Sequence, residues 1–156
     1  MAALFTGSYY RSMDAKGRLV LPPKFLDALG AAGHGGDAAD PAAGTFWLTA
    51  YYGHLTAYLP AKWDAIVEQL SALRMPPPAL ANFKTKVIGL AHEMVPDGQG
   101  RVRIPQPLLR AAGLGRDAVL VGMLDKFEVW AQERFDDLPD VDVSEELAAR
   151  NVVLDL

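Results

Sequence analysis

The pattern of hydrophobic positions and the breakers between them predict a short strand at residues 5–13 and another at 91–95. Each runs into an Asp-x-x-Gly-Arg turn. A short apolar strand follows, residues 19–21 in one place and 102–104 in the other, and is stopped by Pro22 or Pro105. Pro23 and Pro107 fit the first turn of a short helix, where a missing N–H is harmless, and Gly30 and Gly113 fit the C′ position after it. Two further strands are predicted at 45–50 and 55–59, and again at 118–122 and 127–130. A closing helix over 61–73 is clearest, because Trp63, Ile66, Val67 and Leu70 recur at helical spacing. Pro76, Pro77 and Pro78 break it, and residues 79–89 predict a second helix.

These two series of elements are copies of one unit. Asp14-Ala15-Lys16-Gly17-Arg18-Leu19-Val20-Leu21-Pro22 repeats as Asp97-Gly98-Gln99-Gly100-Arg101-Val102-Arg103-Ile104-Pro105 at an offset of 83, and residues 26–30 match 109–113 at the same offset. Farther on, 55–64 match 127–136 at an offset of 72, so the first copy carries an insertion of 11 residues. It falls at 31–41, in a Gly-, Ala- and Asp-rich composition that favours a surface loop. The expected organisation is a first repeat over 4–75, a Pro-rich and helical spacer over 76–90, a second repeat over 91–138 and an acidic tail over 139–156. The fold class is mostly β with short helices, an α+β protein. A unit of about 70 residues with a few short strands buries little core, so the two copies gain by sharing one interior as a pseudo-dimer.

Composition narrows the function classes. Of 156 residues 51% are apolar, which supports a folded core, and cysteine is absent, which removes disulfides, thiolate metal sites and a cysteine nucleophile. No apolar run approaches the roughly 18 to 20 residues of a membrane span and no signal-like segment follows Met1, so a soluble, cytoplasmic protein is expected. The net charge of −4 alone argues against an anionic partner, but it is unevenly spread. Ten acids against three bases make residues 124–156 −7, which leaves +3 for 1–123. Arg11, Lys16, Arg18 and Lys24 crowd around the single acid Asp14. A basic loop sits on an acidic chain.

Two Asp-x-x-Gly-Arg blocks in one short chain, the opening Phe5-Thr6-Gly7, and Val119-Leu120-Val121-Gly122 followed by Lys126-Phe127-Glu128-Val129-Trp130 together resemble the MraZ family, over about residues 4–138. The resemblance implies tandem swapped-hairpin units of the AbrB and SpoVT class forming a pseudo-two-fold barrel. It also implies assembly of chains into a ring, a nucleoid-associated location, and regulation of transcription through repeated DNA boxes upstream of division and cell-wall genes. This chain departs from the family pattern at Gly98, where a lysine is usual, at Leu26, where an arginine is common, and in a spacer helix whose only cations are Lys84 and Lys86. Each departure lowers local positive charge, so DNA affinity is expected to lean on avidity.

Within the blocks, Asp14 and Asp97 can accept backbone N–H groups two or three residues on, while Gly17 and Gly100 permit positive φ, so these four are turn formers. Lys16, at the loop tip, suits phosphate contact. Arg18 and Arg101 either touch DNA or pair with the carboxylate four residues back. Arg11, Lys24 and Arg103 complete the candidate double-stranded DNA contacts. His34, His54 and His92 lack metal-ligand spacing, and no cofactor or small-molecule substrate is expected. Trp47, Trp63, Trp130, Tyr51 and Tyr52 fit core packing better than a stacking platform for single strands. An enzyme is a poor reading, since there is no nucleophile elbow, phosphate loop or His-centred triad. The alternative kept open is an antitoxin-like protein-interaction module in which DNA binding is secondary and the acidic tail grips another protein.

Overall fold

A left-handed Gly7 (φ 89°) interrupts the first extended segment, so that β1 begins only at Ser8 and covers Ser8–Ser12, and Phe5 stands apart in an isolated bridge to Leu124. The structure, a computed structural model, describes residues 4–33 and 44–156. Most of the predicted insertion, 34–41, and with it His34, lies outside the described residues. After β1 come β2 (Arg18–Val20) and α1 (Pro23–Gly33), then β3 (Phe46–Tyr51) and β4 (His54–Tyr58). Helices α2 (Pro60–Ser71) and α3 (Pro78–Gly89) lead into β5 (His92–Met94), β6 (Arg101–Arg103) and α4 (Gln106–Ala111). The chain finishes with β7 (Asp117–Gly122), β8 (Lys126–Ala131), α5 (Gln132–Asp136) and α6 (Ser144–Ala149).

Among the described residues the strands make one antiparallel six-stranded sheet, ordered β1-β7-β8-β4-β3-β5, and a separate two-stranded ribbon of β2 and β6. The six-stranded sheet is open, with β1 and β5 as its edges, and is not closed into a barrel. Exchanging the two sequence copies leaves its order unchanged. Each copy's first strand pairs with the other copy's third, β1 with β7 and β5 with β3, while the equivalent β4 and β8 meet at the centre.

One core joins residues from both copies. Phe127 lies 4.9 Å from Phe25, 5.2 Å from Phe5 and 5.4 Å from Phe46, ring centre to ring centre, and all four are essentially fully buried. Deleting any one of these rings forfeits about 3 to 5 kcal/mol. A second cluster covers the other face of the first copy, where Trp63 of α2 and Val87 of α3 close over Tyr58. No helix among the described residues is long and apolar enough to cross a membrane.

Two helix ends differ although their sequences match. Gly113 (φ 62°) follows α4 as a left-handed C′ residue, with Gly113 N–H donating to Arg110 O and Leu114 N–H to Leu109 O at 2.9 Å, a Schellman closure. Gly30, expected to do the same, instead lies inside α1 without a positive φ, and the helix continues to Gly33. Among the described residues nothing crowds Gly30, and alanine, the best helix former, follows it in the sequence, so the helix runs on into the insertion.

Candidate nucleic-acid interface

The two Asp-x-x-Gly-Arg turns have the same hydrogen-bond pattern. Asp14 Oδ1 accepts the Lys16 and Arg18 backbone N–H groups at 2.9 Å each, its Oδ2 accepts Arg18 Nε at 2.6 Å, and Gly17 N–H donates to Asp14 O. Asp97 repeats this with Gln99, Arg101 and Gly100, its carboxylate meeting Arg101 Nε at 2.9 Å. Gly17 (φ 77°) and Gly100 (φ 74°) occupy the left-handed position that a side chain disfavours. The backbone N–H of Arg18 or Arg101 is the largest cause that holds each aspartate below its ordinary carboxylate range, with the other backbone N–H and the guanidinium adding to it.

A lowered folded pKa means that this contribution is complete above the unfolded carboxylate value, near pH 4, and is lost only as acid titrates the carboxyl at its lower folded value. The Lys16, Arg18, Gln99 and Arg101 amide resonances are therefore expected to hold still between about pH 7 and about pH 5, and to move together only below about pH 4. Movement between pH 7 and 5, followed by NMR, would show that something other than the carboxylates holds the turns.

Between the turns, β2 and β6 pair so that Arg18 faces Arg103, Leu19 faces Val102 and Val20 faces Arg101. Alternation sends Leu19 and Val102 into the core and leaves Arg18, Val20, Arg101 and Arg103 on the outward face. Because the pair is antiparallel, the two turns sit at opposite ends of a ribbon about 10 Å long. Their support is crossed between copies. Leu109 of α4 lies beside Gly17, and Leu26 of α1 lies so close to Gly100 that an added Cβ would come within 2.6 Å of it. Ile104 N–H donates to Gly17 O and Leu21 N–H to Gly100 O, so each strand also buttresses the other copy's turn.

The outward face is strongly cationic. Like charges placed directly opposite in a sheet are unfavourable, yet Arg18 and Arg103 face each other. Asp14 offsets Arg18, whereas Arg103 is exposed and has no carboxylate within ion-pair distance among the described residues. Lys16 projects from the first turn and shares with Arg103, Pro105 and Gln106 a surface groove of about 370 Å³. At the equivalent place the second turn has uncharged Gln99.

The remaining candidates lie apart from this ribbon or at its margin. Arg11 belongs to the edge strand β1, where its guanidinium lies 5.7 Å from the Tyr9 ring and donates to Tyr10 O. Lys24 is exposed in the first turn of α1. Lys84 and Lys86 lie on α3, away from the ribbon strands in sequence. His54 stacks on Trp130 at 4.4 Å with Nε2 3.2 Å from the Glu128 carboxylate, and His92 Nδ1 lies 2.8 Å from Leu90 O. Among the described residues no three metal-ligating side chains converge. Trp63 is buried, Trp47 stacks on it at 5.6 Å, and of the five aromatic candidates only Tyr52 is exposed. Two features escaped sequence reasoning. Val20 reads as one more core residue of an apolar run until its partner Arg101 is known, and a groove lined by Lys86 and Arg110 joins segments far apart in sequence.

Comparison with known proteins places the chain. Residues 87–153 match the family described as "MraZ protein, putative antitoxin-like". A transcriptional regulator MraZ from Nitratidesulfovibrio vulgaris Hildenborough is 38% identical over 152 residues, which cover 96% of this chain and 97% of the relative. One from Maridesulfovibrio salexigens is 35% identical, covering 96% and 97%, and one from Saccharophagus degradans is 33% identical, covering 98% and 100%. Identity at this level along nearly the full length of both partners shows that the chain belongs to the MraZ family of transcriptional regulators.

Proposed function

We propose that this chain is a sequence-specific DNA-binding regulator, cytoplasmic and nucleoid-associated, which acts as a ring and presents the β2/β6 ribbon of each subunit to one of several repeated DNA boxes. The observation that carries the reading is the Arg18–Arg103 juxtaposition, a solvated like-charge pair on a two-stranded ribbon of the width that enters a major groove. Lys16 holds phosphate. Arg18, oriented through its Nε by Asp14, directs its remaining N–H groups to a guanine edge, Arg103 and Arg101 extend the contact, and exposed Val20 meets a thymine methyl. Arg11 and Lys24 flank the duplex. The repeats at 4–75 and 91–138 serve as AbrB-like swapped-hairpin units of one pseudo-two-fold body, with the boxes lying upstream of division and cell-wall genes.

If several ribbons of a ring each neutralise a few phosphates, affinity for multi-box DNA is expected to fall about 10³-fold or more between about 50 and about 200 mM salt. A single box should bind far more weakly, because avidity is lost when one subunit engages alone. Gel shifts at two salt concentrations read both effects. Equal affinity for one box and for several would rule out the ring-on-repeats reading.

The second reading is an antitoxin-like module that uses the acidic tail to grip a different protein. Residues 136–156 are exposed apart from half-buried Leu147, which favours some partner for this segment. A stoichiometric complex with an unrelated protein, formed without DNA and lost on changing the tail, would favour that reading.

A further inference from the structure

The C-terminal segment is built but uncovered. Asp142 accepts the Ser144 N–H and hydroxyl at the start of α6, and Asn151 (φ 56°) closes its end with Val152 N–H donating to Leu147 O. A six-residue helix that brings its own start and stop signals nonetheless buries none of its residues and half-covers only Leu147, while Val141, Val143, Val152, Val153 and Leu154 are all exposed. The segment is also acidic. Residues 138–156 hold Asp140, Asp142, Glu145, Glu146 and Asp155 against Arg150 alone, a net −4.

The body carries a surface of opposite character. A groove of about 420 Å³ runs between the β3–β4 turn, α3 and α4, floored by Ala50, Leu90 and Ala111 and flanked by Tyr52. Lys86 and Arg110 stand on its rim, and neither has a carboxylate within ion-pair distance among the described residues. Tyr52 is held at φ 53° in the turn and is 81% exposed although its ring leans on Tyr51 and Phe83. That backbone is what a two-residue hairpin turn requires, since Tyr52 and Gly53 (φ 84°) both take positive φ between paired Tyr51 and His54, and the turn thereby holds the Tyr52 ring out beside the groove. The groove thus offers what the tail lacks, an apolar floor with two cations above it, and it uses elements from the first copy, the spacer and the second copy together.

We infer that the acidic tail of one chain docks in the Tyr52–Lys86–Arg110 groove of a second copy, and that this exchange joins neighbouring subunits. The tail's valines and leucine cover the floor while Glu145 and Glu146 pair with Lys86 and Arg110. This inference rests on the ring reading above and names the contact that links its subunits.

Charge reversal tests it on full-length chains by light scattering at micromolar concentration, with circular dichroism checking the fold. Wild type is expected to have a mass several times 16.9 kDa. The groove variant K86E/R110E and the tail variant E145K/E146K should each lose the large species. Mixing the two variants in equal amounts should restore it, because each tail then meets a groove of opposite charge, and so should combining all four substitutions in one chain. Wild-type mass in both single-site variants would overturn the inference while leaving the ring intact. Loss in each variant without recovery on mixing would also overturn it, by pointing to a tail that folds onto its own chain. Unchanged mass with tighter DNA binding in the tail variant would instead assign the tail to the ribbon. A monomeric wild type would remove the ring reading itself.

Discussion

Replacing Lys16 and Arg18 together by alanine is expected to lower affinity for a specific site by about 10²-fold or more while the mass of the oligomer stays unchanged. The two residues contribute differently. Arg18 offers a fork that Asp14 pre-orients at 2.6 Å, and loss of a bidentate guanine contact costs about 1 to 3 kcal/mol and relaxes sequence preference. Lys16 is exposed at the turn, and its loss should weaken all sequences alike and reduce the salt slope by about one. Arg18→Lys is the informative control, since it keeps the charge but not the fork. Asp14 would still accept the backbone N–H groups of residues 16 and 18 in the double variant, so the turn is expected to keep its shape. In the second turn Gln99→Ala should change affinity by less than about 0.5 kcal/mol. Fluorescence titration with specific and scrambled duplexes reads all of these. Wild-type affinity in the double variant, or loss accompanied by a fall in mass, would make the first turn a structural element only.

The largest effect on stability is expected at a residue that looks unremarkable in the sequence. Gly122 ends β7, and a Cβ placed on it would collide with the backbone of Phe5 and Thr6, atoms that cannot rotate aside as a side-chain tip can. Gly122→Ala must therefore push the N-terminal segment off the sheet. Phe5 would be drawn out of its contacts with Phe25 and Phe127, and its hydrogen bonds with Leu124 would go with it. The expected destabilisation is that of deleting a buried phenylalanine, about 3 to 5 kcal/mol. Gly98→Ala, in the second turn, meets no atom within 4 Å and has no left-handed backbone, so it should stay within about 0.5 kcal/mol. Urea denaturation of the two variants side by side gives the comparison, and a Gly122→Ala midpoint equal to wild type would mean that the Phe5 segment is free to move aside.

The sequence by itself determined the local elements and their repetition. Turn chemistry is local: an aspartate that accepts a nearby N–H and a glycine three residues on that takes positive φ could be read from five consecutive residues, although the second N–H on each carboxylate comes from four residues on rather than three. The strands 45–50, 55–59, 118–122 and 127–130 and the two helices around the proline run were legible for the same reason, since periodicity and breakers act over a few residues. Even there the boundaries depended on surroundings, as the longer α1 shows: Gly30 and Gly113 occupy matched positions, yet only Gly113 reverses the chain.

Pairing between copies was decided by the tertiary structure. Nothing local states that β1 should pair with β7 rather than with a strand of its own copy, or that Leu26 and Leu109 should each support the other copy's turn. Those choices depend on which apolar faces can be buried together, and a small unit with few strands buries enough only by sharing its interior. The candidate site follows from the same cause. The cations of the first turn are visible as a cluster in the chain, but Arg103 stands opposite Arg18 only because β2 and β6, 83 residues apart, form one ribbon. Val20 turns outward for that reason too, since an antiparallel pair that buries Leu19 and Val102 must send its alternate side chains to solvent.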